Sequence, residues 1–488
     1  MSPPAIIVCL ISYFAVLMLV SYFTGKRSSN EGFFLANRKS PWYLIAFGMI
    51  GSSISGVTFI SVPGWVRQTD FSYFQVALGY IIGYWIIAWV LLPVYYRLQL
   101  TSIYTYLKDR FGKKGYKTGA VFFLISRITG AAFRLYVAVE VLQLCIFDRL
   151  HLPFILNATV LVGLIWLYTR RGGMNTIIWT DALQTFFLLS AVIATIILIS
   201  RELHVDYTDL SASVIYGPYS KIFNWDAGSK YYFFKEFLSG IFIAVAMTGL
   251  DQDMMQKNLT CKTLSEAKKN IFSFSIVQAF VVLLFLILGV LLYYFADFKH
   301  IALPAKSDDL YPTLATGGYL GTLVAFLFIM GLTASSFASS DSALTALTTS
   351  FCIDIVNIES KDSNRQLWLR KWVHIAMAVT LVIVIIIYDT LNNPVVINAV
   401  FTAAGYTYGP LLGLFGFGLL TKMKANDNWI PYISIISPLL CFAADRFSAL
   451  LFNGYHFGFE LLILNALLTF TGLWLSASAG RNITAFSR

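Results

Sequence analysis

The sequence predicts an all-α, polytopic membrane protein with about thirteen transmembrane helices, on three observations. Of 488 residues, 58% are hydrophobic and only 12% charged, with a mean hydropathy of +0.71; soluble domains average about 25% charged. Apolar stretches long enough to cross a bilayer recur at 4–24, 41–64, 71–97, 117–147, 153–169, 174–200, 231–256, 270–296, 319–353, 371–389, 394–420, 429–451 and 457–477, numbered here as spans 1 to 13. Basic residues alternate between loops. With the N-terminus outside, the inner loops 25–40, 97–117, 170–173, 256–270, 353–371, 421–428 and 478–488 hold 24 of the 35 Lys and Arg residues. The outer loops hold 7, so an external N-terminus and a cytoplasmic C-terminus are expected. The net charge of +10 reflects this bias and does not imply nucleic-acid binding.

Composition and motifs exclude several classes. Span 1 lacks a basic leader and a small-residue cleavage site, so it is expected to be retained. Cysteines 9, 145, 261, 352 and 441 are scattered without a CxxC, and the five histidines are isolated. Neither a disulfide framework nor a zinc site is expected. There is no GxxxxGK[ST] loop, so ATP does not drive the protein. No nucleophile–base pair marks an enzyme, no organic cofactor or protein partner is implied, and the short tail leaves no room for a signalling domain.

Taken in order, residues 1–40 form an N-terminal helix and cytoplasmic loop. Span 2 carries Gly48, Gly51, Ser52, Ser53, Ile54, Ser55, Gly56 and Thr58, then Pro63-Gly64, an unwinding signal in mid-span. After span 3, Tyr104, Leu107 and Phe111 repeat at helical spacing with basic residues opposite, an amphipathic helix on the cytoplasmic surface. Span 4 holds Arg127, Arg134 and Glu140, with the two arginines on one face. The polar loop 201–230 is placed over the external mouth. Span 7 carries the second unwinding signal, Gly240 and then Met247-Thr-Gly-Leu-Asp251-Gln-Asp253. Residues 41–200 (spans 2–6) and 231–421 (spans 7–11) are therefore two five-helix halves that start on opposite sides of the membrane. Residues 422–488 supply two further helices and a short tail. Interrupted helices in matching positions of two halves point to a midplane binding site. Close helix contact at Gly51 and Gly56 is the alternative for span 2.

Span 9 is rich in hydroxyls from Thr333 to Ser350, around Asp341. A carboxylate at that depth costs about 2.5–3.5 kcal/mol on insertion scales. Ser335, Ser339 and Ser342 share one face, and hydroxyls beside a carboxylate suit a hard cation. Small-residue packing accounts for the serines but leaves Asp341 unexplained.

Five segments resemble the sodium:solute symporter family in order along nearly the whole chain. They are Ser53–Gly64 of the broken span 2, Thr101-Ser-Ile-Tyr-Thr-Tyr-Leu-Lys-Asp-Arg-Phe111, Gly172-Gly-Met-Asn-Thr-Ile-Ile-Trp179-Thr-Asp181-Ala-Leu-Gln184, Asp251-Gln-Asp-Met-Met-Gln256-Lys257, and Ala338–Leu344 followed by Asp354. The resemblance implies a leucine-transporter-type fold of five plus five helices, with one extra N-terminal and two extra C-terminal helices. It also implies solute uptake driven by inward Na+. The residues alone support H+ as well; the choice of Na+ comes from the resemblance.

By position, the family's sodium site falls on the carbonyls of Gly51 and Ile54, the Ser335 carbonyl, the Ala338 position and the Ser339 hydroxyl. Ala338 replaces a hydroxyl common in the family, so Ser339 carries more of the site. A second sodium site, found in some members, falls on Asp181 with Asp341 and Ser342. Asp341 often stands as Ser in those members, so here two carboxylates converge. In relatives that move sialic acids and sugars, solute contacts fall at Ser53, Ser55 and Thr58. Their carboxylate-binding Arg aligns with Gly130, one turn from Arg134, which either serves that purpose or pairs internally with Glu140 or another acid. Their span 3 glutamine aligns with Ala77, with Gln75 nearby. Thr407 and Tyr408 are gate candidates. The expected solute is a sugar, a sugar acid such as a sialic acid, or a polyol. An amino acid or monocarboxylate is the alternative within the fold, a cation channel the alternative class, and a bacterial inner membrane the expected location.

Overall fold

Two spans leave the helix midway, and each resumes at a polar cap. The computed structural model describes residues 3–25, 29–203, 217–391, 405–451, 455 and 457–477. In span 2, Trp42–Ser53 and Gly56–Thr69 are two half-helices, and the span bends by 61°. Ile54 leaves the helix and Ser55 is extended, with its Oγ accepting from Thr58 N at 3.4 Å. A hydroxyl at that position satisfies one of the donors that a helix start leaves open. In span 7, Phe233–Gly249 and Gln252–Asn258 bend by 73°, and Asp251 caps the second half by accepting from Asp253 N at 2.9 Å. Both expected breaks are therefore present.

The other spans run unbroken: Pro3–Thr24, Tyr73–Arg97, Lys113–Leu142, Phe154–Gly172, Met174–Glu202, Leu264–Phe298, Gly321–Ile355 and Ser363–Leu391. Span 11 is described as Tyr408–Leu420, and spans 12 and 13 as Ile430–Arg446 and Leu461–Ser476. Among the described residues, seven helices are long and apolar enough to cross a membrane, or nine if each bent pair counts as one span. Span 5 and spans 11–13 fall short on length or hydropathy, so the count of thirteen rests on the sequence. Large apolar side chains such as Phe23, Trp89, Phe280, Trp372 and Leu475 project outward, as lipid-facing surfaces do. This is a multi-pass membrane protein with no strand among its described residues.

Span 9 forms the centre. Every residue from Gly331 to Ser350 is buried, and the helix packs on spans 4 and 6, on both halves of span 2 and on the second half of span 7. Its Ser, Ala, Gly and Thr residues let neighbouring backbones approach on all sides.

Two peripheral expectations are corrected. The amphipathic segment is a short helix, Thr105–Arg110, and protein rather than lipid covers its apolar side. Tyr104 packs against Phe123 and Tyr106 stacks on Phe415. Arg110, read as a basic surface residue, is buried. Its Nε donates to Gly418 O at 3.0 Å, and its Nη2 donates to Thr421 O at 2.9 Å and Met423 O at 2.7 Å. These are the carbonyls that the end of span 11 leaves open, and a planar guanidinium can satisfy several at once. In the loop 201–230, expected to be external, residues 204–216 lie outside the described residues. The remainder docks on span 3, where Asn224 N donates to Gln75 Oε1 at 3.1 Å.

Candidate functional site

Because span 9 is buried on every side, its hydroxyls must find partners within the protein. Ser335 Oγ donates to Leu332 O at 2.9 Å, Ser339 Oγ to Ser336 O at 3.0 Å, and Ser342 Oγ to Ala338 O at 3.0 Å. All three therefore donate along their own helix and keep oxygen lone pairs free to accept. Ser336 Oγ, Thr333 Oγ1 and Thr345 Oγ1 are buried with no hydrogen-bond partner among the described residues. Ser336 points at the break in span 2, where a Cβ on Gly56 would collide with its Oγ. Sequence reasoning missed Ser336, since spacing groups residues on faces without saying which face meets the break.

On span 2, Gly51 lies against span 6: its N–H donates to Thr185 Oγ1 at 3.0 Å, and a Cβ there would strike that hydroxyl. Ile54 is fully buried at the break. Ser53 is half-buried and accepts from Gln278 Nε2 at 3.3 Å. Ser55 is buried as the cap, 3.4 Å from the hydroxyl of half-buried Thr58. The structure thus gathers Ser53, Ser55, Thr58 and the unpartnered Ser336 around one unwound turn.

The carboxylates expected to share a second cation have different hydrogen-bond partners. Asp181 on span 6 pairs with Lys257 on the second half of span 7, Nζ to Oδ2 at 2.7 Å, with both side chains 2% exposed. Ser52 joins them, donating to Asp181 Oδ2 at 3.0 Å and accepting from the Lys257 ammonium. Asp341 instead accepts from Tyr168 OH at 2.7 Å and from Ser342 N at 2.5 Å. In this arrangement a lysine ammonium stands at Asp181, and Ser342 contributes its backbone N–H to Asp341. Lys257 closes the Asp251–Lys257 motif, whose spacing does not reveal a partner 76 positions away.

Span 4 reaches the break in span 7. Arg127 forms a buried ion pair with Asp253 and lies 3.6 Å from Asp251, whose Oδ2 also accepts from Tyr408 OH at 2.7 Å. Tyr408, a gate candidate, is thus tied to that break. Arg134, two turns along, is half-buried and has neither an ion pair nor a hydrogen bond among the described residues. Glu140 is exposed, and among the described residues it forms no ion pair with Arg134. Gln75 is fully buried, donates to Ser72 O and Tyr231 O, and accepts from Asn224 N, which commits its amide to the loop. Asp354 accepts from Ser102, Ser350 and Tyr116 at 2.7, 2.6 and 2.9 Å, an anchor for the C-terminal end of span 9. Among the described residues, no group of three or more His, Cys, Asp and Glu converges as for a transition metal. Two cavities of about 340 and 440 Å³ lie along span 6 at Trp179, and none of these residues lines them.

Comparison with known proteins gives a consistent picture. The profile of the sodium:solute symporter family matches residues 33–428. The sodium/sialic acid symporter NanT of Aliivibrio fischeri is 25% identical over 448 residues, covering 86% of this chain and 84% of that protein. The sodium/sialic acid symporter SiaT of Proteus mirabilis is 23% identical over 476 residues, covering 92% and 90%. The sodium-coupled monocarboxylate transporter 1 of Xenopus laevis is 25% identical over 436 residues, covering 83% and 67%. A solved structure of a Na+-coupled sialic acid symporter in a substrate-bound, outward-open state matches with a TM-score of 0.82 at 19% identity, over 97% of this chain and 98% of that one. At that identity the likeness is one of fold, and it bears out the helix arrangement expected from the paired breaks.

Proposed function

The chain belongs to the sodium:solute symporter family, and from that premise we propose that it is a sodium-coupled secondary active symporter importing a sugar acid of the sialic acid class by alternating access. One observation carries the reading. Two spans break at capped turns, and a buried helix with spare hydroxyl acceptors packs against both. Unwound backbone at that depth is tolerated where it lines a site.

In this account Na+ is held by the Gly51 and Ile54 carbonyls, the Ser335 carbonyl, the Ala338 position and the Ser339 oxygen, with Ser336 beside them. The solute lies against Ser53, Ser55 and Thr58, near the start of the second half of span 2, where N–H groups and the helix dipole favour an anion. Arg134, which has no ion pair or hydrogen bond among the described residues, meets its carboxylate through a bidentate fork. Na+ draws spans 2 and 9 together and favours the outward-facing state. Solute then favours occlusion and rocking of residues 41–200 against 231–421, and the two affinities are linked reciprocally. The bacterial relatives and basic inner loops support a bacterial inner membrane, with the N-terminus outside.

The test is uptake of labelled sialic acid into proteoliposomes under an inward Na+ gradient, with unlabelled competitors. Sugar acids are expected to compete, while amino acids and lactate are not. Competition by lactate alone would move the assignment to a monocarboxylate, the second reading, which the monocarboxylate relative supports. Na+ current without solute would point to a channel instead.

A further inference from the structure

We propose that the Lys257 ammonium is a tethered cation holding the position at Asp181 where a second coupling ion would otherwise bind, so that solute moves with a single Na+. This rests on the sodium-symport reading above. Lys257 is the one lysine buried among the described residues. Its Nζ donates to Asp181 Oδ2 at 2.7 Å and to Ser52 Oγ, so a carboxylate of span 6 and a hydroxyl of span 2 receive the contacts that a bound metal ion would make. A buried carboxylate requires a compensating cation, and here the chain supplies it. Asp341 is met by neutral donors, Tyr168 OH and Ser342 N, so the one buried ammonium goes to Asp181.

A tethered ion differs from a free one in two ways. It binds as an intramolecular partner, at an effective concentration no solution ion needs to match. It also never leaves: Lys257 lies one residue before the end of the half-helix Gln252–Asn258, and when the halves rock it travels with that helix. The group therefore contributes to closing the cytoplasmic side without adding a second ion to the transport cycle. Removing the ammonium would leave Asp181 Oδ2 with Ser52 Oγ as its donor and vacate the place that Nζ holds between them. Asp181 Oδ1 already lacks a partner among the described residues. Those are the hard oxygen ligands that Na+ takes.

The test counts radiosodium bound to the purified full-length protein, and does so first on the wild type, where no variant need fold. About one Na+ per protein is expected, lost in Ser339→Ala and kept in Asp181→Asn. Two in the wild type, with one lost in Asp181→Asn, overturns the proposal. Lys257→Gln is expected to gain a second Na+ and to be stabilised by NaCl relative to choline chloride. Adding Asp181→Asn is expected to abolish that gain and to provide a folded, charge-neutral control. A folded Lys257→Gln that gains none also overturns the proposal. No Na+ on the wild type, with a gain in Lys257→Gln, would refute the symport reading while supporting the tethered cation.

Discussion

Replacing Arg127 with Met should destabilise the protein chiefly because it strands Asp253. The two side chains are 6% and 1% exposed, and Asp251 lies within 3.6 Å of the same guanidinium. Removing one partner of a buried ion pair costs about 3–5 kcal/mol, because the other charge stays in low dielectric. Asp253 is the second residue of the half-helix Gln252–Asn258, where the helix dipole returns about 1 kcal/mol to an anion. A net loss of about 2–4 kcal/mol follows. Asp251 keeps its hydrogen bonds from Tyr408 OH and Asp253 N, so Arg127→Met with Asp253→Asn should cost clearly less than Arg127→Met alone. Unfolding in mixed micelles with rising denaturing detergent, followed by tryptophan fluorescence, gives the three differences. If the double variant loses the sum of the single losses to within about 0.5 kcal/mol, the pair is not coupled and the reasoning fails.

Other outcomes follow from named contacts. Arg134→Ala should raise the solute KM about tenfold or more, as expected for losing a charge-assisted fork, with the sodium dependence of uptake kept; an unchanged KM removes Arg134 from the solute site. Gly56→Ala should abolish transport because its Cβ meets Ser336 Oγ, and Ser336→Ala in the same chain should restore part of it. Arg110→Lys should cost about 1–3 kcal/mol of stability, since an ammonium cannot reproduce the fork that caps Gly418, Thr421 and Met423; an unaltered unfolding midpoint would contradict that.

Much of the architecture was legible in the sequence because bilayer physics is one-dimensional. Apolar run length places spans, and glycines beside polar residues place breaks at Ile54–Ser55 and Leu250–Asp251. Partner choice is not one-dimensional. Asp181 meets Lys257, and Arg127 meets Asp253, because the second half of span 7 turns by 73° toward spans 4 and 6. Spacing placed Ser335, Ser339 and Ser342 on one face correctly, but the orientation of span 9 turns Ser336 to Gly56. Gln75 has the chemistry of a solute ligand, yet its side chain is taken up by Ser72, Tyr231 and Asn224.

The central claim is that Na+ on span 9 drives solute uphill. Sodium-gradient-driven accumulation of labelled sugar acid, compared between wild-type and Ser339→Ala proteoliposomes at equal protein content, tests it directly. The account predicts concentrative uptake in the wild type that collapses when the gradient is dissipated, and an apparent Na+ affinity at least about fivefold weaker in Ser339→Ala, the lower end of a site-coupling free energy. Uptake that ignores the gradient, or a Ser339→Ala protein with wild-type sodium dependence, would contradict it.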